Sequence, residues 1–180
     1  MKNTWLLLAV GGRRQHGGND GYDDSARAYY SWDSTVPNHA NVNVGDLVVL
    51  WDKENLLGAS KIDHIEKRSG SKTVKKCAEC GLSNIKERLT LTPTFRCNRC
   101  GATFEQPLEI EKEITSYRCY YESNWVDLFQ LISVTHLRSL CESSKSQLSL
   151  RRLNWTRFSN ALRRADLGIG IQLDELTGIE

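Results

Sequence analysis

Four of the six cysteines in this 180-residue chain are spaced for metal chemistry. Cys77-Ala78-Glu79-Cys80-Gly81 and Cys97-Asn98-Arg99-Cys100-Gly101 are two copies of one CxxCG turn, with sixteen residues between them. Each turn sets two thiolates on one side of the backbone, and the trailing glycine lets the chain double back so that amide N–H groups face the sulfurs. Two such turns facing each other form a tetrahedral all-sulfur cage for one Zn²⁺. No coordination position is left open, so the ion holds structure rather than activating water. A dithiol redox site uses a single CxxC, not a ribbon-spaced duplicate. Cys119 and Cys141 fall in strand and helix patterns and read as core thiols.

Other reactive constellations are missing. No lysine follows an acid at the two-residue spacing of a PD-(D/E)xK nuclease, and there is no HExxH, Walker loop or GxSxG. The four histidines, His16, His39, His64 and His136, are far apart. The chain therefore reads as a binder, not an enzyme. Its charge says what it could bind. Residues 61–100 carry ten bases and four acids, 101–135 two bases and six acids, and 136–165 seven bases and one acid. Two basic blocks folded onto one face would meet phosphate; solvated surface is the alternative. Lys72, Lys75, Lys76, Arg96 and Arg99 in the first block, with Arg151, Arg152 and Arg157 in the second, are the candidate contacts.

The elements that must position these groups follow from periodicity. Thr4–Val10 is apolar throughout, a strand buried on both faces. A glycine-rich loop follows, with Arg13, Arg14, Gln15 and His16 as polar tips able to enter a groove or fill the gap left by an extruded base. After Tyr29-Tyr30-Ser31-Trp32 comes a turn at Val36-Pro37-Asn38. Gly45-Asp46 opens the strand Leu47–Trp51, which forms a hairpin with Ala59–Ile65. Residues 67–104 are polar and basic, and read as an inserted zinc ribbon between the two halves, 1–66 and 105–180, of one domain. In the returning strand, Leu108, Ile110 and Ile114 share one parity and Tyr117, Cys119 and Tyr121 the other, which predicts a bulge near Thr115. Helices are predicted from Val126, from Val134 to Cys141, and through Trp155, Phe158, Leu162 and Ala165 with Asn154 as N-cap. With no apolar run of roughly 18 residues and no signal-peptide pattern, a cytoplasmic protein without a membrane partner is expected.

The segment from Trp5 to Ile65 resembles the EVE domains of the PUA-like superfamily, relatives of the YTH and SRA readers. The likeness rests on Thr4-Trp5-Leu6, on Trp32-Asp33-Ser34-Thr35-Val36-Pro37-Asn38 in place of a Trp-x-x-Val-x-Asn segment, and on Gly45-Asp46-Leu47-Val48-Val49-Leu50-Trp51 in place of a Gly-Asp-x-Val strand. It continues through Leu57-Gly58 and Ile62–Ile65, is loose over 107–121, and does not extend to the ribbon. It implies an α+β fold, a small PUA-like β-barrel with flanking helices. It also implies double-stranded DNA carrying a modified base, such as a modified cytosine, as partner, within a modification-dependent restriction system whose nuclease domain lies in cis or trans. The chain departs from that pattern in lacking the arginine before Asn38 and in the inserted ribbon. For the base itself, Tyr30, Trp32 and Trp51 offer flat faces, and Ser31, Asp33 and Asn38 offer groups for its Watson–Crick edge. The competing expectation is that these aromatics are core. An RNA-binding PUA-like module and a zinc-ribbon protein adaptor are the two other functions the sequence allows.

Overall fold

The structure is a computed structural model that describes residues 2–10, 21–166 and 168–178. Arg13, Arg14, Gln15 and His16 lie outside the described residues. Strand β1 (Thr4–Leu8) lies between β3 (Leu47–Trp51), to which it is parallel, and β11 (Leu150–Arg152), to which it is antiparallel. Adding β4 (Leu56–Lys61) and β10 (Val126–Asp127) gives a five-stranded sheet of order β10-β4-β3-β1-β11.

This sheet is covered on both faces, which is why β3 is apolar at every position and β1 at every position after Thr4. Leu6, Leu47, Val49 and Trp51 pack under three helices, α1 (Val134–Ser139), α2 (Trp155–Ala165) and α3 (Ile169–Thr177), through Leu137, Phe158, Leu162, Leu173 and Leu176. Trp5, Leu7, Val48 and Leu50 pack on the other side against Tyr30, Trp32 and Cys119. These belong to a three-stranded antiparallel sheet of order β2-β9-β5, made by β2 (Tyr29–Asp33), β5 (His64–Lys76) and β9 (Leu108–Tyr120). The fold is thus α+β, in layers of helix, sheet and sheet. Among the described residues the strands close no barrel; they form this pair of sheets and a third, small one in the ribbon.

The Gly-Asp step has a structural use. Gly45 takes φ 85° to turn the chain into β3. The buried Asp46 carboxylate then accepts from the Trp5 indole at 2.9 Å and from the backbone N–H groups of Asn3 and Asn43, which clamps the start of β1 beside β3.

Three expectations change. The helix from Val126 is absent: Val126–Asp127 pairs with Ala59 and Gly58 as β10, and Gly58 is the residue that can lie there, since a Cβ would come within 2.2 Å of the Trp125 ring. No bulge interrupts β9, whose register with β5 is continuous from Tyr120 to Leu108. The parity switch arises because the strand changes surroundings, with Cys119 in the core and Leu108 and Ile110 exposed on an arm that leaves the body. Helix α3 was not expected. Helix α2 and its cap agree with the sequence, the Asn154 side chain accepting from the Arg157 N–H.

Candidate metal centre and binding surfaces

Beyond the body, β5 and β9 continue as a two-stranded arm from Gly70↔Ile114 to Lys76↔Leu108. The ribbon sits at its tip as a three-stranded sheet, β6 (Ile85–Glu87), β7 (Phe95–Cys97) and β8 (Thr103–Phe104), over a small core of its own formed by Ile85, Phe95, Ala102 and Phe104. The two CxxCG turns match each other. Gly81 N–H donates to Cys77 O at 2.9 Å and Gly101 N–H to Cys97 O at 3.0 Å, with φ 71° and 80° at the two glycines.

The four sulfurs lie within 4.8 Å of one another, Cys77 to Cys100 at 3.7 Å and Cys80 to Cys97 at 3.6 Å. Zinc–sulfur bonds of ~2.3 Å in a tetrahedron place neighbouring sulfurs about 3.8 Å apart, so the cage fits a metal ion of that size. The Cys100 and Arg99 amides draw the Cys97 thiol down to about 6 against the opposing effect of burial, whereas burial and the neighbouring thiols push Cys80 up to about 12 and raise Cys100 as well. Cys119 and Cys141 are buried away from this cluster, as expected of core thiols.

The residues expected to form a base pocket are brought together only in part, and most are occupied. Tyr30 and Trp32 are 0% and 1% exposed. Trp32 stacks on Tyr117 with ring centres 5.3 Å apart, and its indole donates to His39 O at 3.1 Å. Trp51 belongs to the core on the opposite face of the five-stranded sheet, so it does not close a pocket with the other two. Asn38, at φ 69°, donates to Leu150 O at 3.1 Å and ties its turn to β11. The Ser31 hydroxyl donates to Asp23 O and accepts from Arg118 Nε. Asp33, 1% exposed, accepts from Lys72 Nζ at 2.5 Å, Tyr22 Oη at 2.7 Å and both the N–H and hydroxyl of Thr35. Burial alone would raise its pKa, but together these donors, Lys72 foremost, hold it below the ordinary carboxylate value. The polar groups of Ser31 and Asp33 have protein partners because both residues are buried, and a buried polar group without one is costly.

The basic candidates divide in the same way. Arg96 and Arg99 are exposed on the ribbon, Lys75 and Lys76 are half-buried at the end of the arm, and Arg157 is exposed on α2. Lys72 is taken by Asp33, Arg152 pairs with Glu142 at 3.6 Å and lies over Trp5, and Arg151 is buried. The first basic block is also partly cancelled, because the β5–β9 pairing sets Lys75 opposite Glu109.

Two features went unread in the sequence. On the outer face of the three-stranded sheet, His64, Tyr120 and Tyr29 form a row across β5, β9 and β2, with ring centres 6.0 and 6.1 Å apart and the Arg118 guanidinium 4.4 Å over Tyr29. His64 is exposed and the tyrosines are half-buried. Strand alternation was the available signal: if Tyr30 and Trp32 point inward, Tyr29 and Ser31 point outward. The second is a half-open cleft of about 350 Å³ lined by Ala26, Leu57, Trp125 and Phe129, with the Arg27–Asp127 ion pair among its walls. Its residues are too dispersed in sequence to be found by pattern.

Comparison with protein-family models, with curated proteins and with solved structures finds no match to this chain. The class that the fold and site define is an α+β protein with a ribbon carried on a β-arm, whose four clustered cysteines are able to hold a metal ion. Among the described residues no helix is long and apolar enough to cross a membrane.

Proposed function

We propose that this chain is a nucleic-acid-binding module of the EVE-related, PUA-like kind, that its ligand is double-stranded DNA carrying a modified base, and that the ribbon's metal is a structural zinc. The observation that carries the reading is the His64–Tyr120–Tyr29 row with Arg118. An open sheet face bearing rings and a guanidinium is a surface on which bases stack, since every base has a π-face. The exposed Arg96 and Arg99 on the ribbon and Arg157 on α2 supply phosphate contacts. With Tyr30, Trp32 and Trp51 in the cores, the place for a single extruded base is the Trp125–Phe129 cleft, whose about 350 Å³ is at the small end of ligand sites.

The test is a salt series of binding measurements on plain duplex, the same duplex with a modified cytosine, and RNA. Modified duplex should bind most tightly. Tyr120→Ala should weaken every nucleic acid by about 1–3 kcal/mol, the value of one stacking partner. Preference for RNA would move the reading to an RNA-binding module. A second reading, a protein adaptor, is favoured by the ribbon's own surface, where Leu82, Leu89 and Leu91 are 47%, 93% and 58% exposed. Absence of any salt-dependent nucleic-acid binding would select it.

A further inference from the structure

Strand β11 alternates across the edge of the five-stranded sheet. Leu150 and Arg152 lie opposite Leu7 and Trp5, but Arg151 lies opposite Leu6, whose side chain belongs to the core under the helices. Arg151 is only 6% exposed. Its Nε donates to Leu148 O at 2.7 Å and its guanidinium carbon sits 5.0 Å from the centre of the Trp51 ring, yet its Nη1 has no hydrogen-bond partner. The buried Nε1 of Trp51 has none either, nor has the Nε of Arg138 on α1. Arg138 is close enough for its charge to act on Arg151, adding to the larger effect of burial in lowering that guanidinium's pKa. Among the described residues no carboxylate pairs with either arginine, and the nearby Glu142 is held by Arg152. Cys141 is the remaining titratable neighbour, and burial raises its thiol pKa so that it stays neutral. A buried guanidinium with an unsatisfied Nη1, a second guanidinium near enough to act on its charge and no acid to neutralise them is an unstable arrangement without an external anion.

We propose that Arg151, Arg138 and the Trp51 indole N–H form an oxyanion site that takes a phosphate group. All three offer donors and none an acceptor. Guanidinium groups meet phosphate oxygens with paired N–H bonds, and the Trp51 ring face fixes the plane of the Arg151 fork in advance. The covering segment can yield: the side-chain and turn hydrogen bonds of residues 143–148 are internal, Ser146 N–H to Ser143 O, Leu148 N–H to Ser146 Oγ and Gln147 Nε2 to Lys145 O, apart from the Leu148 carbonyl on Arg151. A phosphate oxygen replaces that carbonyl as acceptor. The site does not depend on the chain being a nucleic-acid reader.

The experiment is a thermal-melting titration of the whole chain with inorganic phosphate against chloride at equal ionic strength. Wild type should gain stability saturably with phosphate, and Arg151→Met should not. In phosphate-free buffer Arg151→Met should melt no lower than wild type, because an apolar chain replaces a charge without a partner. Trp51→Phe, which keeps the ring and loses the N–H, should weaken phosphate by about two- to tenfold, the value of one hydrogen bond. Should Arg151→Met fail to fold, Arg138→Gln gives the same reading. A short oligonucleotide that competes with phosphate identifies a backbone phosphate as the source, and one that does not identifies a free phosphate. Equal effects of phosphate and chloride on wild type, or a phosphate response that survives Arg151→Met and Arg138→Gln, would overturn the site.

Discussion

Replacing Lys72 by methionine tests what the Asp33 cluster is for. Lys72 reaches from the arm back to a carboxylate at the end of β2, and is the only cation among Asp33's four donors. Methionine keeps the stem beside the Tyr22 ring, which the lysine nitrogen approaches to 5.7 Å of its centre, and removes the charge with its hydrogen bonds to Asp33 and Thr35 Oγ1. Breaking a buried ion pair from one side costs about 3–5 kcal/mol. Here Tyr22 and Thr35 go on donating to the carboxylate, and the Lys72 side chain is 28% exposed, so a loss of about 2–3 kcal/mol is expected. For a chain of this size that is a fall in Tm of roughly 4–12 °C. The pH dependence fixes the cause. Asp33 has its pKa lowered by folding, so its stabilisation is complete above the unfolded value of about 3.9 and fades as pH drops through the folded value. The gap between wild type and Lys72→Met should therefore be full at neutral pH and close in acid, where Asp33 is protonated in both. Urea denaturation followed by circular dichroism across that range measures it. A loss below about 0.5 kcal/mol, the level of an exposed pair, or a gap unchanged in acid, would show that Lys72 does not hold Asp33 and that both are free to meet a ligand.

Metal analysis should find one zinc per chain. Chelation or Cys97→Ser should release the amides of residues 85–104 to rapid hydrogen exchange while those of β1 and β3 stay protected, because the ribbon's core is separate from the two main ones; protection that persists without the metal refutes a structural ion. Trp32→Ala should cost about 3–5 kcal/mol of stability with or without nucleic acid, as truncation of a core aromatic does. A variant that keeps its melting temperature and loses only discrimination of the modified base would place Trp32 in a ligand pocket after all.

The metal site was legible because its determinants are local: two pairs of cysteines, each closed by a glycine with positive φ, specify the cage almost without the rest of the fold. The first strands were legible for a related reason. Residues Leu47–Trp51 are apolar at every position, and that pattern means cover on both faces whatever supplies it. What covers them was not legible. Nothing in the composition of Tyr29–Asp33 says that it pairs with Arg118 and Tyr117 from the far side of the ribbon, and that pairing decides which aromatics are core and which form the open row. Asp33 and Lys72 were each singled out as groups that meet a ligand; 39 residues apart, they meet each other. Val126 looked helical because its partner, Ala59, lies in a strand that sequence alone does not bring beside it.

The arm behaves as a zip fastener with a stop at either end. From Gly70↔Ile114 to Lys76↔Leu108 two strands run with no third beside them among the described residues, and a two-stranded ribbon is only marginally stable in water. At the outer end the four sulfurs hold both strands in register, since a slip of either one would pull Cys77 away from Cys100. At the inner end Lys72 fastens the arm to Asp33. With the cage empty, separation from Cys77 inward would meet its first tie to the body at Lys72, so a metal held by the four sulfurs would set how far the arm stays closed as well as the shape of its tip.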